Sequence, residues 1–399
     1  MIRRLVRGAS AVAAAALLTA TACGGEQSAT SSTVTEIPEY VVSVRPAIVI
    51  DDDGRPERAF SGALPRRMPD GSIAIGDRGN SEINTFGRGG RHLQRLARRG
   101  NGPGELRGDF LLTTRADTLF VMSRPPAPPD LSTFTPGGGF LSRTRLHSTD
   151  APTGLTLVDR LESGQLIVER GTGFSVIQQA PSAGVIAADS VRYGILRQRA
   201  DGEGGDIVWL PTVRRGWTVT FPWPNGPIPA SVAAYLLGPT TAAAASADFF
   251  WLVDAENGAV RAFDQTGSQV VSTRLPLRHQ PIDLRALERQ RNRALASANG
   301  SLARSRIMAQ YDPEMMPDAG PLISSVHAGV DGELWVRLFD PDEAAPQHFL
   351  VLDRSGAVMA QATLPPDLAV HQIGADFVLG VHRDSLDVES VLEFSLRRR

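Results

Sequence analysis

Seven histidines, a single cysteine and several close-set arginines and tryptophans are the residues of this 399-residue chain whose types could do chemistry. The histidines stand at 92, 147, 279, 327, 348, 371 and 382, and no pair of them forms a HExxH or comparable short ligand motif. The nearest acid and histidine spacings are His371 with Asp376 and His382 with Asp384. A divalent ion needs several oxygen or nitrogen ligands at once, so metal-assisted hydrolysis would require at least three side chains from distant segments to converge. The run Asp51-Asp52-Asp53 reads as a charged turn. No GxSxG nucleophile elbow is present, and the only thiol, Cys23, stands at the end of an address segment. The sequence therefore designates no catalytic residue, no cofactor site and no metal site.

Recognition residues are more conspicuous. Trp209, Trp217 and Trp223 fall close together, with Pro211, Pro222, Pro224, Pro227 and Pro229 among or just after them. Rigid rings bury much area at little entropy cost, so this stretch could line a groove for an extended peptide or glycan. Packing of outer strands against a proline-shaped loop is the plainer account. Arginine's planar donor fork suits carboxylate and phosphate groups. Arginines gather at Arg66, Arg67, Arg95, Arg98, Arg99, Arg214 and Arg215, and in a helix-like set of Arg285, Arg289, Arg291 and Arg293. Asp283 and Glu288 interrupt that last set, which makes it a solvated face rather than a basic stripe. The candidate binding surface is Trp209, Trp217 and Trp223 with Arg285 and Arg289. The glycine strings GRGG at 87–90 and GNGPG at 100–104 open no helix, and read as turns rather than phosphate cradles.

Composition bounds what must position these residues. Formal charge is only -2, from 41 basic and 43 acidic residues, so no global field gathers nucleic acid. Apolar residues make up 42% and charged residues 21%, the balance of a folded body. With 39 glycines and 28 prolines, short strands joined by many turns are expected rather than long helices.

Residues 1–22 have the pattern of a secretory signal: Arg3, Arg4 and Arg7, then an apolar run from Ala9 to Leu18, then small residues. The apolar run falls short of the roughly 20 residues that span a bilayer. The stretch Leu17-Leu18-Thr19-Ala20-Thr21-Ala22-Cys23 resembles the lipobox of bacterial lipoproteins, with Ala20 departing from the usual leucine. The resemblance implies a lipid on Cys23, membrane attachment through it, and a polar tether over 23–38. Gly24 after the cysteine resembles lipoproteins sorted to an outer membrane. The expected location is the cell envelope, outside the cytoplasm, with an envelope protein, a peptide or a glycan as partner.

From about residue 38 a unit recurs: a Gly/Asp turn, an apolar strand, a second turn, and a strand ending in an aromatic. It is clearest at 70–90, 249–267 and 331–360. The turns near 70, 117, 163, 247, 331 and 376 recur at about 45 residues or twice that, the period of a propeller blade. The segment 205–221 fits either the outer strands of an enlarged third blade or the middle of another. DLRALERQRNRALASA after Pro281 reads as a helix within an insertion over 282–310. The fold expected over 39–399 is all-β: a six-bladed β-propeller of four-stranded antiparallel blades, with seven or eight blades as alternatives, closed by the N-terminal strand.

Residues 63–108 resemble the six-bladed NHL-type propeller pattern, carried by Asp77, Asn80, Ile83, Phe86, Gly90, Gly100, Gly102, Gly104, Glu105 and Leu106. The chain resembles bacterial lipoproteins with such a domain. NHL propellers act as binding platforms, and a few are lyases or lactonases. The resemblance thus implies a membrane-tethered binding or scaffold module rather than an enzyme. The alternative is a metal-dependent lactonase or lyase working at the central opening.

Overall fold

The computed structural model of the chain describes residues 37–51, 59–115, 118–124, 130–135, 137–146, 155–171, 186–198, 205–222, 230–234, 237–246, 248–312, 317–342 and 344–398. Cys23, most of the tether, Trp223 and Asp52-Asp53 lie outside them.

Two short strands, β1 (Glu39–Val42) and β2 (Ile48–Ile50), precede the first sheet. That sheet is β3 (Ala63–Arg67), β4 (Ile73–Asp77), β5 (Glu82–Phe86) and β6 (His92–Ala97). The second is β7 (Phe110–Arg115), β8 (Thr118–Ser123), β9 (Asp130–Phe134) and β10 (Phe140–Arg145). The third holds β11 (Leu155–Arg160), β12 (Leu166–Gly171), β13 (Ile186–Gln198), β14 (Gly205–Trp209), β15 (Val213–Pro222) and β16 (Ala230–Ala234). The fourth is β17 (Thr241–Ala245), β18 (Phe249–Asp254), β19 (Ala259–Asp264) and β20 (Gln269–Arg274). Two helices follow, α1 (Leu284–Ser297) and α2 (Ser301–Gln310). The last strands are β21 (Ile323–Ala328), β22 (Leu334–Leu338), β23 (Gln347–Leu352), β24 (Val358–Leu364), β25 (Leu368–Ile373), β26 (Phe377–Arg383) and β27 (Glu389–Arg397).

These strands correct the expectation of six separate four-stranded blades. The described residues form four blade-like antiparallel sheets and one nine-stranded sheet, accompanied by the two helices. Two pairings explain the difference. β1 runs parallel to β24 through Glu39 and Tyr40 and antiparallel to β27 through Val41 and Val42, which joins β21–β24 and β25–β27 into one sheet. That sheet curls nearly into a barrel, because its edge strands β21 and β25 pack together and Gly329 bridges Ile373. The third sheet has six strands because β13 is long enough to pair with β14 along 194–198 and with β15 along 186–191.

Local chemistry sets the hairpins. Asp264 Oδ1 accepts from the backbone N–H of Thr266 and Ser268, and Gly267 turns the chain at φ +83. Asp353 accepts identically from Ser355 and Ala357, with Gly356 at φ +84. A side chain at a glycine in this left-handed region would be strained, so the Asp and Gly pair specifies the turn. Asp264 and Asp353 titrate below the usual carboxylate range because hydroxyl and backbone donors hold the anion.

Each sheet then buries its faces on the next. Leu64, Ala74 and Ile83 pack with Phe110, Leu112 and Leu119; Phe120 and Met122 with Leu157 and Leu166. Ile167 and Ile195 meet Phe250 and Leu252, and Trp251 and Val253 meet Val326 and Val336. Trp335 and Phe349 meet Val378 and Phe394, while Leu379 and Val391 return to Ile73 and Ile75. A fully buried large apolar side chain stabilises by roughly 1.5–3 kcal/mol, so this cycle of contacts holds the sheets about a common axis. The helices lie outside it: Asp283 caps α1 by accepting from Arg285 N–H, and Leu287 packs with Leu237, Trp217 and Phe339.

Candidate functional site in the central channel

The first strand of each four-strand run lies innermost. β3 packs beside β7, β7 beside β11, β11 beside β17, β17 beside β21, β21 beside β25, and β25 beside β3, which closes a ring. Apolar side chains on these strands are consumed between the sheets, and half-buried polar side chains stand among them. Half-buried polar side chains on them include Arg66 on β3, Arg115 on β7, Asp159 on β11, Ser325 and His327 on β21, and His371 on β25. The sixth, β17, reads TAAAA, short side chains that leave room in the channel.

Electrostatics locate Arg66 near the axis. β3 packs beside β7 and β25, yet the Arg66 charge is felt by His327 on β21, and Asp159 on β11 acts on Arg66. Reaching strands on both sides of its neighbours requires the guanidinium to lie toward the centre. Arg66 keeps partial solvent contact although protein surrounds it. Burial lowers its pKa to about 10; Asp159 opposes that shift and Arg115 reinforces it.

Both histidines are neutral at pH 7. Burial lowers His327 to about 4, with Arg337 and Arg66 adding to the shift. Burial lowers His371 to about 3, helped by Arg66, His327 and Arg78. The Ser325 hydroxyl lies 3.2 Å from His327 Nε2, and the His327 ring leans on Phe349 with centroids 6.1 Å apart.

The two inner arginines are used differently. Arg115 donates from Nε and Nη2 to the Arg160 carbonyl at 3.1 and 2.8 Å, and from Nη1 to the Thr114 carbonyl at 2.9 Å. It also stands 3.6 Å from Asp159. Arg66 has one hydrogen bond among the described residues, from Nη1 to the Pro65 carbonyl at 2.8 Å. Arg115 is committed to holding two sheets together, whereas most of Arg66's five N–H donors have no partner among the described residues.

A cavity of about 380 Å³ lies where the inner strands end, with Arg67, Arg115, Ala245, Gly329 and Gln372 in its wall. Arg67 is fixed there by Asp376 at 3.3 Å and Glu393 at 3.4 Å, and covers the Phe377 ring at 4.4 Å. Burial raises the Glu393 pKa, with Arg67 opposing the shift. Behind His371 a second cavity of about 320 Å³ includes Arg78, Arg383 and Glu389.

The residues singled out from the sequence lie elsewhere. Trp209 is on β14, partly buried against the second and third sheets, with Arg192 5.5 Å from its ring centre. Trp217 is on β15 beneath α1, with Arg214 at 5.1 Å and a buried indole N–H that has no partner among the described residues. The two rings belong to different packing clusters, and Trp223 lies outside the described residues. Arg285 and Arg289 are on α1, away from the channel, and Arg289 stands 3.9 Å from Asp283. His382 is on β26 and Asp384 begins the turn to β27. Asp376 pairs with Arg67 rather than with His371.

Reading the sequence listed His327, His371 and Arg66 without joining them, and passed over Ser325, Arg115 and Asp159. A signal was present. Arg66, His327 and His371 each precede an acidic turn residue, Asp70, Asp331 or Asp376, by four or five positions. Polar residues at one recurrent place in otherwise apolar strands mark the inner lining.

The class defined here is a protein of blade-like sheets around a basic, histidine-bearing channel. No family model matches the chain, and no curated protein does, so the NHL and lipoprotein resemblances gain no relative. Solved structures similar to it include a protein from Bacteroides fragilis described as exported, 12% identical over 90% of this chain and 95% of that one, with a TM-score of 0.45. Virginiamycin B lyase from Staphylococcus aureus is 13% identical over 90% of both chains, with a TM-score of 0.39. The PQQ-bound aldose sugar dehydrogenase of Streptomyces coelicolor is 11% identical over 90% of this chain and 98% of that one, TM-score 0.39. At these identities no site residue carries over. The six-bladed NHL reading is corrected by the sheets themselves, four blade-like and one nine-stranded among the described residues. The expectation of a scaffold that is not an enzyme is corrected by the site itself, where the Ser325 hydroxyl lies 3.2 Å from Nε2 of a neutral His327.

Proposed function

We propose that the chain is an enzyme of the lyase or lactonase class acting in its central channel, outside the cytoplasm. The carrying observation is the His327 imidazole, neutral, within reach of the Ser325 hydroxyl and in the field of Arg66. Both reaction classes need a base that takes a proton, from carbon in an elimination or from water in lactone opening. Both build negative charge on a carbonyl oxygen, which a fixed cation stabilises. In this arrangement the proton passes to His327 and the developing oxyanion faces Arg66.

A pKa near 4 keeps His327 unprotonated but leaves it a weak base. Negative charge growing beside Arg66 offsets the part of that depression that the arginine causes. The base therefore strengthens as the reaction proceeds.

The metal-dependent form of the chemistry does not fit the donor set. Among the described residues no group of three His, Cys, Asp or Glu side chains could hold an ion, and arginine charge around Asp159, His327 and His371 repels a cation. The extracytoplasmic location is supported by the signal pattern of residues 1–22, and lipid attachment at Cys23 is the finer part of the same reading.

The test is turnover of lactones and of esters with an acidic α-proton by the full chain, followed by mass spectrometry. Replacing His327 with asparagine should lower the rate by about 10²–10⁴ without changing the circular dichroism spectrum. Absence of turnover across both substrate sets, or an undiminished His327→Asn rate, refutes the proposal.

A further inference from the structure

Arg66 is an unusual arginine for a folded interior. Protein surrounds it, its one hydrogen bond among the described residues goes to its own neighbour's carbonyl, and no ion pair is made to it there. The acid that acts on it, Asp159, already stands 3.6 Å from Arg115. By contrast Arg67, one residue on, has two carboxylate partners and an aromatic face. A cation held without its own counter-charge opposes folding, because desolvation is not offset by pairing. Such a residue is explained when a ligand supplies the missing charge.

We propose that Arg66 anchors an anion-binding site in the channel, and that the molecule taken up carries a carboxylate or phosphate group. This rests on the central channel being the working site, as in the function proposed above, but it does not depend on the reaction class. The guanidinium fork pairs two oxygens of a planar or tetrahedral oxyanion. Neutral His327 and His371 stand in the same field and each offers one ring N–H donor, and Ser325 adds a hydroxyl. The alanines of β17 leave the facing wall free of carboxylates that would compete. Arg67, in the wall of the 380 Å³ cavity at the strand ends, is already paired with Asp376 and Glu393 and does not compete for the anion.

The experiment uses the full chain and two probes, inorganic phosphate and succinate, with succinamide as the uncharged control. Binding is read from the histidine Cε1–H signals in proton NMR and from calorimetry. Wild type is expected to bind at least one of the two anions and not succinamide, and the ratio of their affinities tells phosphate from carboxylate. Bound anion should move the titration of at least one histidine upward, because it cancels the Arg66 field. Arg66→Gln should weaken binding at least tenfold, Arg66→Lys should retain part of it, and Arg289→Gln on α1 should leave it unchanged.

A second readout separates this role from a structural one. If Arg66 awaits a ligand, Arg66→Gln unfolds at a denaturant midpoint equal to or above wild type. If it supports the fold, the midpoint falls. Failure of both anions to bind wild type, equal binding by Arg66→Gln, or a lowered midpoint overturns the proposal. Anion binding without turnover of any ester or lactone leaves this site standing and removes only the reaction class. Turnover unaffected by Arg66→Gln, with no anion binding, removes this site and leaves the reaction class.

Discussion

Glu389 ties the end of the chain to the strand that carries Arg66. Its Oε2 accepts the Ala63 backbone N–H at 2.7 Å, and its Oε1 accepts Arg383 Nε at 3.0 Å and Nη2 at 2.5 Å. The glutamate side chain is 5% exposed and the arginine 56%. In Glu389→Ala, Arg383 turns to solvent, so its loss costs little. The Ala63 N–H is different, being buried at the start of β3 with the Glu389 carboxylate as its acceptor. Leaving a buried donor unmet costs about 1–3 kcal/mol. Glu389 borders the 320 Å³ cavity, from which water can reach the vacated acceptor position, so the expected loss is about 2 kcal/mol. For roughly 360 folded residues the unfolding entropy is about 0.75 kcal/mol per degree, which turns that loss into a melting shift of about 3 °C. Glu389→Gln keeps an acceptor for Ala63 and should lose about half as much. Urea unfolding of the three proteins, followed by far-UV circular dichroism, measures the series. A Glu389→Ala protein within about 0.5 kcal/mol of wild type would refute the claim that this one acceptor closes the chain.

The two channel histidines make stability acid-sensitive. Their folded pKa values, about 4 and about 3, lie below the unfolded 6.5, so the unfolded chain binds more protons as pH falls. Their contribution is complete above about pH 6.5 and is lost as pH falls toward about 4 for His327 and about 3 for His371, by up to about 1.4 kcal/mol per pH unit for each. Unfolding midpoints from pH 7 to 4.5 should flatten in His371→Gln by the share of one proton; an unchanged slope counts against burial of that ring. Arg398→Ala should destabilise by about 3 kcal/mol in urea, because it strips Glu333, 4% exposed, of its partner at 2.6 Å and Asp331 of its partner at 3.0 Å. A loss below about 0.5 kcal/mol would show that the remaining donors to Glu333, Asp331 N–H and Trp335 Nε1, suffice.

What could be read from the sequence was local. The turns at Asp264 and Asp353 specify themselves within four residues, through a carboxylate that accepts the next backbone donors and a glycine that takes positive φ. Asp283 marks the start of α1 in the same way. The apolar strands after each turn follow from short runs such as Ile73–Asp77, all five of which are buried. Sheet membership was not local. β1 has four residues, and nothing in EYVV says that two of them pair with β24 and two with β27. The length of β13, which adds two strands to the third sheet, depends on partners on both sides of it.

The site divides along the same line. The amino-acid order by itself determined an all-β body with strands punctuated every 45 residues or so, and a polar residue recurring just before the turns. It also set the balance of charge that leaves nucleic acid without a footing. Only the tertiary structure decided that Arg66, Asp159, His327 and His371, drawn from four strands, share one channel. The physical reason is that their charges interact through space and not along the chain. Ring closure brings residues hundreds of positions apart within electrostatic range, and burial there turns ordinary histidines into neutral bases and leaves one arginine with no carboxylate partner of its own among the described residues.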